Sequence, residues 1–232
     1  ALGISRATVV NYLQQAREQG LIRITLAAPA FTTHRLALAL NARFGLKGSH
    51  VVPDEGASPD LAFLRVVRGA ANWLPELIGP GDRLGVAWGR TIHELAAMVE
   101  PTTVEDLVVL QLVGSMATPY GFTAEACSTL LAQRLGARCV NLHAPAILSR
   151  AALAAELRDE PILKAQLDQL GSVNTLLFSV GTVTADSHVV LSGLATPQDL
   201  AWYVAQGAVG VICGRFVGPD GSPITHADIL AL

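Results

Sequence analysis

The run Leu107-Val108-Val109-Leu110-Gln111-Leu112-Val113 is apolar on both faces of an extended chain. Such a strand is stable only when helices cover it on each side, as in a parallel sheet. The rest of the sequence fits that requirement. A strand over 83–87 precedes a helix over 91–99, strand 107–113 precedes helix 123–135, and strand 138–142 precedes a loop and helices over 149–170. Strand 173–180 then leads towards a helix over 197–206. Upstream, Leu36, Leu38, Leu40 and Phe44 give a helix over 34–44 ended by Gly45 and Gly48, followed by a strand over His50–Val52 and a helix over 60–77. The expected fold is α/β, a doubly wound and mostly parallel sheet. With 51% hydrophobic and 15% charged residues the chain has a large aliphatic core, and its apolar runs fall short of the roughly 20 residues that a membrane helix needs. No membrane association is expected. Cys127, Cys139 and Cys213 lack paired spacing and the six histidines are scattered, so the expectation is a cytoplasmic protein without disulfide, metal or cofactor.

Charge is distributed unevenly along the chain. Residues 1–50 carry Arg6, Arg17, Arg23, Arg35, Arg43 and Lys47 against Glu18 alone, whereas the remainder is acidic. Within this basic head, Gly3 and Ser5 read as a turn and a helix N-cap. Val9, Val10, Leu13 and Ala16 then recur at helical spacing up to Gly20, a C-terminal cap position. Near the helix N-terminus, Ser5, Arg6, Thr8 and Asn11 are short or forked donors of the kind that reach phosphates and base edges from a major-groove helix. Leu21 to Leu26 alternates as a strand, which is how a winged helix-turn-helix continues.

In open parallel sheets, ligands bind beyond the carboxyl ends of the strands. Those positions are occupied by Trp88-Gly89-Arg90-Thr91, Gly114-Ser115, His143-Ala144-Pro145 and Gly181-Thr182. Small residues, hydroxyls and one arginine suit a sugar phosphate or polyol phosphate, because open amides at a helix N-terminus and a guanidinium can hold a phosphate. Several of these residues have plainer uses. Thr91 with Glu94 forms a T-x-x-E capping box, Gly114 and Gly181 fit ordinary turns, Trp88 fits the core, and His143 fits a structural histidine.

The string LGISRATVVNYLQQAREQGLIRI resembles the second half of the helix-turn-helix in bacterial SorC/DeoR-type sugar-responsive transcription regulators. The helix that precedes it in that family is absent, so the resemblance implies a chain that begins inside the motif, with residues 1–28 a partial DNA-binding segment. Residues 29–232 resemble the family's effector domain through GDRLGVAWGRT, VVLQLVGSM, AEACSTLLAQRLGARCVNLHAPAIL, SVGT and GAVGVICGRFVGPDG in that order. The resemblance implies a fold similar to sugar-phosphate isomerases and deaminases, a phosphorylated sugar or polyol as effector, operator DNA as partner, and a dimer or tetramer without catalysis. It places the phosphate on Gly89, Arg90 and Thr91, with Trp88, Gly114, Ser115, Thr123, Gly181 and Thr182 completing the pocket. Val211 and Gly218 stand where the family often carries acidic residues. The family's G-G-x-x-K segment and final strand are not reached before Leu232, which implies truncation at that end as well.

An enzyme on the same fold is the competing class. Isomerase or deaminase chemistry needs a positioned base, and only His143, Asp186 and His188 stand near strand ends, with no acid pair. Some members of the family hold an aldehyde through a lysine imine. Here Lys47 and Lys164 lie in polar segments away from strand ends, so non-covalent binding is expected.

Overall fold

The computed structural model describes residues 5–19, 21, 34–53, 56–225 and 230–231. They fall into two compact units, 1–53 and 54–232.

The first unit contains α1 (Arg6–Glu18) and α2 (Arg35–Phe44). Ser5 caps α1 as its position suggests, with Oγ accepting from the Thr8 amide at 3.1 Å and lying 2.9 Å from the Thr8 hydroxyl. α2 is capped by the His34 side chain and ends at Gly45, whose φ of +65° is the left-handed geometry expected of a C-terminal glycine. Val9, Val10 and Leu13, the apolar stripe of α1, are exposed. Residues 22–26, the expected wing strand, lie outside the described residues, as does Gly20. His50–Val52 forms no strand. β-propensity needs a partner ladder to be realised, and none of the described strands pairs with this segment.

The second unit opens with α3 (Pro59–Leu77), whose N-cap Ser58 accepts from Leu61 and whose inward stripe is Val67, Ala71 and Leu74. Then come β1 (Arg83–Val86), α4 (Arg90–Met98), β2 (Val108–Gln111), α5 (Ala124–Arg134) and β3 (Arg138–Val140). After β4 (Ile147–Leu148), α6 (Ala151–Asp159) and α7 (Pro161–Leu170), the chain returns as β5 (Thr175–Leu177). Four of these strands form an all-parallel sheet in the order β3-β2-β1-β5. Every residue of β2 is buried, as an apolar run covered on both faces requires. The winding runs outward from β1 through β2 to β3 and then jumps back to the far side of β1. This makes the β1–β5 pair the topological switch point of the sheet.

The remaining elements are β6 (Val180–Gly181), α8 (His188–Leu191), α9 (Pro197–Ala205), β7 (Gly210–Ile212), β8 (Arg215–Val217) and β9 (Leu230–Ala231). β6, β7 and β8 form a small antiparallel sheet, and β9 pairs with β4. One cluster centred on Leu84, Val86, Ile92, Leu95, Val109 and Leu131 extends to Leu200 of α9 and Phe216 of β8. A smaller cluster joins Leu142 and Ala144 to Leu163 of α7.

Two sequence expectations require correction in this unit. The single strand over 173–180 is two strands in different sheets: the parallel register ends where the Ala87 amide donates to Leu177 O at 2.9 Å, and Val180 pairs instead with Ile212 of β7. Continuous apolar character could not reveal a change of partner. The Thr91–Glu94 capping box is not how α4 begins. Gly89 is the N-cap, no side chain caps it, and Thr91 already lies inside the helix.

Candidate functional site

At the carboxyl ends of β1 and β5 the structure contains a cavity of about 250 Å³. Trp88, Gly89, Arg90 and Thr91 come from the β1–α4 turn. Ser179, Val180, Gly181 and Thr182 come from the segment around β6, and Asp186, Ser187, His188 and Val189 from the start of α8. Val211, Cys213 and Gly214 close the wall from the β7–β8 hairpin. The cavity is therefore at the switch point, where connections leaving neighbouring strands diverge.

Gly89 adopts φ +119° and ψ 169°, a conformation open essentially to glycine alone, and a Cβ built on it would meet nothing within 4 Å. The first α4 amide bonded within the helix is that of His93, to Gly89 O at 3.0 Å. The Arg90, Thr91 and Ile92 amides precede it and are the donors that a helix start leaves unspent. Below the turn, Cys127 of α5 is fully buried and its Sγ donates to Gly89 O at 3.8 Å. Burial pushes this thiol up to about 11. Trp88 belongs to the core and the cavity at once, being 7% exposed.

Among the described residues, Arg90 is the one lysine or arginine on the cavity wall. Its guanidinium lies 4.5 Å over the Phe63 ring and 3.6 Å from Asp60 Oδ1, both on α3. The wall also carries Asp186, whose carboxyl is held below its ordinary value first by the Thr184 hydroxyl, then by its own backbone amide and by His188. Thr184 also bonds the Thr182 hydroxyl at 2.9 Å, and its carbonyl accepts from the Ser187 amide at 2.9 Å. The His188 ring packs against Phe122 at 4.9 Å and Tyr120 at 5.7 Å. Cys213 and Gly214 form the two-residue β7–β8 turn, with φ of +49° and +75°. Two positive φ values mark a type I′ hairpin turn, a geometry cysteine adopts reluctantly. Burial raises the Cys213 thiol, against a smaller opposing effect of Arg215.

Of the residues singled out in the sequence, Trp88, Gly89, Arg90, Thr91, Gly181 and Thr182 converge on this cavity. Gly114, Ser115 and Thr123 do not line it. Ser115 is bonded into a bridge with the 144–146 segment, donating to Ala144 O at 2.7 Å and accepting from Ala146 at 2.8 Å. A Cβ on Gly114 would lie 2.6 Å from Ala144 O. Thr123 caps α5 through the Ala126 amide at 3.1 Å. His143 is outside the cavity, and its amide donates to Gln166 Oε1 at 3.1 Å. Ser5, Arg6, Thr8 and Asn11 share the exposed start of α1, with Thr8 partly covered. Sequence reasoning missed Ser179, Val180, Ser187, Val189, Cys213 and Gly214 as wall residues. The polar triplet Asp186-Ser187-His188 after an apolar strand was the available signal. Among the described residues no group of three histidine, cysteine or acidic side chains is arranged to hold a metal, and no helix is long and apolar enough to cross a membrane.

Residues 28–232 match the family model of the sugar-binding domain, Sugar-bind. The transcriptional regulator YjhU of Escherichia coli K12 is 37% identical over 98% of this chain and 71% of its own length. The deoxyribonucleoside regulator of Bacillus subtilis 168 is 30% identical over 97% of this chain and 72% of its own length. In fold, the chain is similar to the full-length sorbitol operon regulator SorC of Klebsiella pneumoniae, with a TM-score of 0.83 over 99% of this chain and 75% of that one, at 21% identity. The cavity at the switch point thus lies in the matched domain, and the chain belongs to the sugar-binding domain family of SorC/DeoR-type transcriptional regulators.

Proposed function

We propose that this regulator answers to a phosphorylated sugar or polyol held in the cavity, and that occupancy changes its hold on operator DNA. The observation that carries the reading is the α4 terminus: unspent amides at Arg90, Thr91 and Ile92, an open approach over Gly89, and a guanidinium on the same wall. Arg90 is half-exposed and its partner Asp60 more so. An exposed pair of this kind contributes only about 0–1 kcal/mol, so turning the guanidinium towards a phosphate costs little. Trp88, Gly181 and Thr182 complete the subsite. Relatives named for deoxyribonucleosides and for sorbitol support the effector class. A cavity of about 250 Å³ fits a single sugar phosphate better than a dinucleotide.

The effector is bound without chemistry. Among the described residues, the titratable groups on the wall are Arg90, Asp186, His188 and Cys213, and they include neither a lysine nor a carboxylate pair. Ser5, Arg6, Thr8 and Asn11 face DNA, the protein works in the cytoplasm as a dimer or tetramer, and the effector shifts the balance between DNA-competent and incompetent states.

The test is a thermal-shift screen with ribose 5-phosphate, 2-deoxyribose 5-phosphate, erythritol 4-phosphate and sorbitol 6-phosphate, each beside its unphosphorylated parent. A true effector at about 100 times its Kd stabilises by roughly 2.7 kcal/mol. A response to parents and phosphates alike would sink the phosphate reading. On the DNA side, Arg6→Ala in the full-length regulator should weaken operator binding. The log-log salt slope should shrink by roughly 0.9 if Arg6 meets a phosphate, or specificity should relax if it reads guanine. Unchanged operator affinity would remove Arg6 from the interface.

A further inference from the structure

The Ser187 side chain stands apart from its surroundings. The residue is 5% exposed and lines the cavity, and its Oγ has no hydrogen-bond partner. Its backbone is fully engaged: the amide donates to Thr184 O at 2.9 Å, and the carbonyl accepts from Val190 and Leu191, both at 3.0 Å. Ser187 precedes α8 at the N-cap position, where a serine hydroxyl ordinarily accepts from an amide of the first turn, yet no such bond forms. A buried hydroxyl without a partner is costly and uncommon in a folded protein, and a ligand group is one way to satisfy it. Ser187 belongs to the same cavity wall as Gly89, Arg90 and Thr91 at the start of α4.

We infer that Ser187 Oγ is a specificity-determining contact that recognises one hydroxyl of the effector's carbon chain, at a point separate from the phosphate. Three observations set its chemistry. Val189, Val211 and Cys213 line the cavity with it, so the carbon chain of a sugar has apolar surface beside this polar group. The adjacent Asp186 carboxylate disfavours an anion, which leaves the phosphate to the α4 amides and Arg90 on a different segment. A carbinol hydroxyl both donates and accepts, as does serine, and so satisfies Oγ in either orientation. The His188 ring, packed on Phe122 and Tyr120, supports the backbone beside Ser187 and holds this contact in place.

The inference rests on the sugar-phosphate reading above, and its test separates the two. The full chain and Ser187→Ala are titrated calorimetrically with the four phosphorylated compounds of the screen and their unphosphorylated parents, and both proteins are melted without ligand. Ser187→Ala should lose roughly ten- to hundredfold in affinity for the compound that the wild type binds best. The ratio of phosphorylated to unphosphorylated affinity should stay the same, and the ligand-free Tm should be unchanged or higher. Equal affinity in both proteins would overturn the inference alone, and so would a selective loss of the preference for phosphate. A ligand-free Tm lowered by more than about 4 °C would show the hydroxyl to be structurally bonded and would also overturn it. A wild type that binds none of the compounds would overturn the effector reading and this inference together.

Discussion

The carboxyl ends of β1 and of β2 look alike as sequence and differ completely as structure. Trp88-Gly89-Arg90-Thr91 follows β1 and Val113-Gly114-Ser115 follows β2, each a strand end turning through glycine into a hydroxyl residue. After β1 the turn opens on a cavity, and nothing occupies the space where Gly89 would carry a Cβ. After β2 the turn is shut. Gly114 lies against Ala144, Pro145 and Ala146, and buried Gln111 donates to Val113 O at 2.7 Å and accepts from the Leu142 amide at 3.3 Å. The difference comes from strand order. β2 and β3 are neighbours wound in the same direction, so their exits run together and bond, whereas β1 and β5 are neighbours wound in opposite directions, so their exits part. A strand-end glycine therefore marks either a ligand's approach or a backbone's approach, and topology chooses between them.

The sharpest test of this contrast is Gly114→Ala. Its Cβ would lie 2.6–2.8 Å from three backbone atoms, which cannot step aside as a side chain can. A loss of about 3 kcal/mol or more in urea unfolding is expected. A loss below about 1 kcal/mol would show that the β2 exit is not closed.

The next effect concerns the support beneath the open turn. Burial raises the Cys127 thiol to about 11 from an ordinary 9.0. A group raised in the folded state contributes stability that is whole below pH 9 and lost as pH rises through about 11. The stability difference between wild type and Cys127→Ala should therefore shrink above pH 9, by at most about 3 kcal/mol. A difference independent of pH would mean that the thiol beneath Gly89 reaches solvent in the folded state.

Arg90→Ala should cost less in stability, under about 1 kcal/mol, because its pair with Asp60 is exposed. Its effect should fall on the ligand, as a roughly ten- to hundredfold loss of preference for phosphorylated over unphosphorylated effector in calorimetry. An undiminished preference would move the phosphate away from the β1 exit. The smallest expected effect is none at all. Neither Lys47 nor Lys164 lines the cavity, so borohydride treatment with an aldehyde sugar phosphate should leave no adduct by mass spectrometry. An adduct on either lysine would refute non-covalent binding.

Much of the molecule is written in short stretches of sequence, because those features depend on neighbours within a few residues. Ser5 ahead of Arg6, Gly45 after Phe44 and the alternation of strands with helices from Arg83 to Arg138 all follow from local capping, backbone freedom and hydrophobic period. The residues of the β1 exit were legible for the same reason, since a glycine and an arginine at a strand-to-helix turn are adjacent in the chain. Partner choice was not legible. Nothing within 173–180 says that Leu177 serves one sheet and Val180 another, since pairing energy depends on strands from distant parts of the sequence. Which glycine faces a ligand and which faces a backbone, and that Ser187 and Cys213 join Gly89 around one cavity, was likewise decided only when the strand order was set. Both outcomes use the same residue types, and only the three-dimensional path of the neighbouring connections distinguishes them.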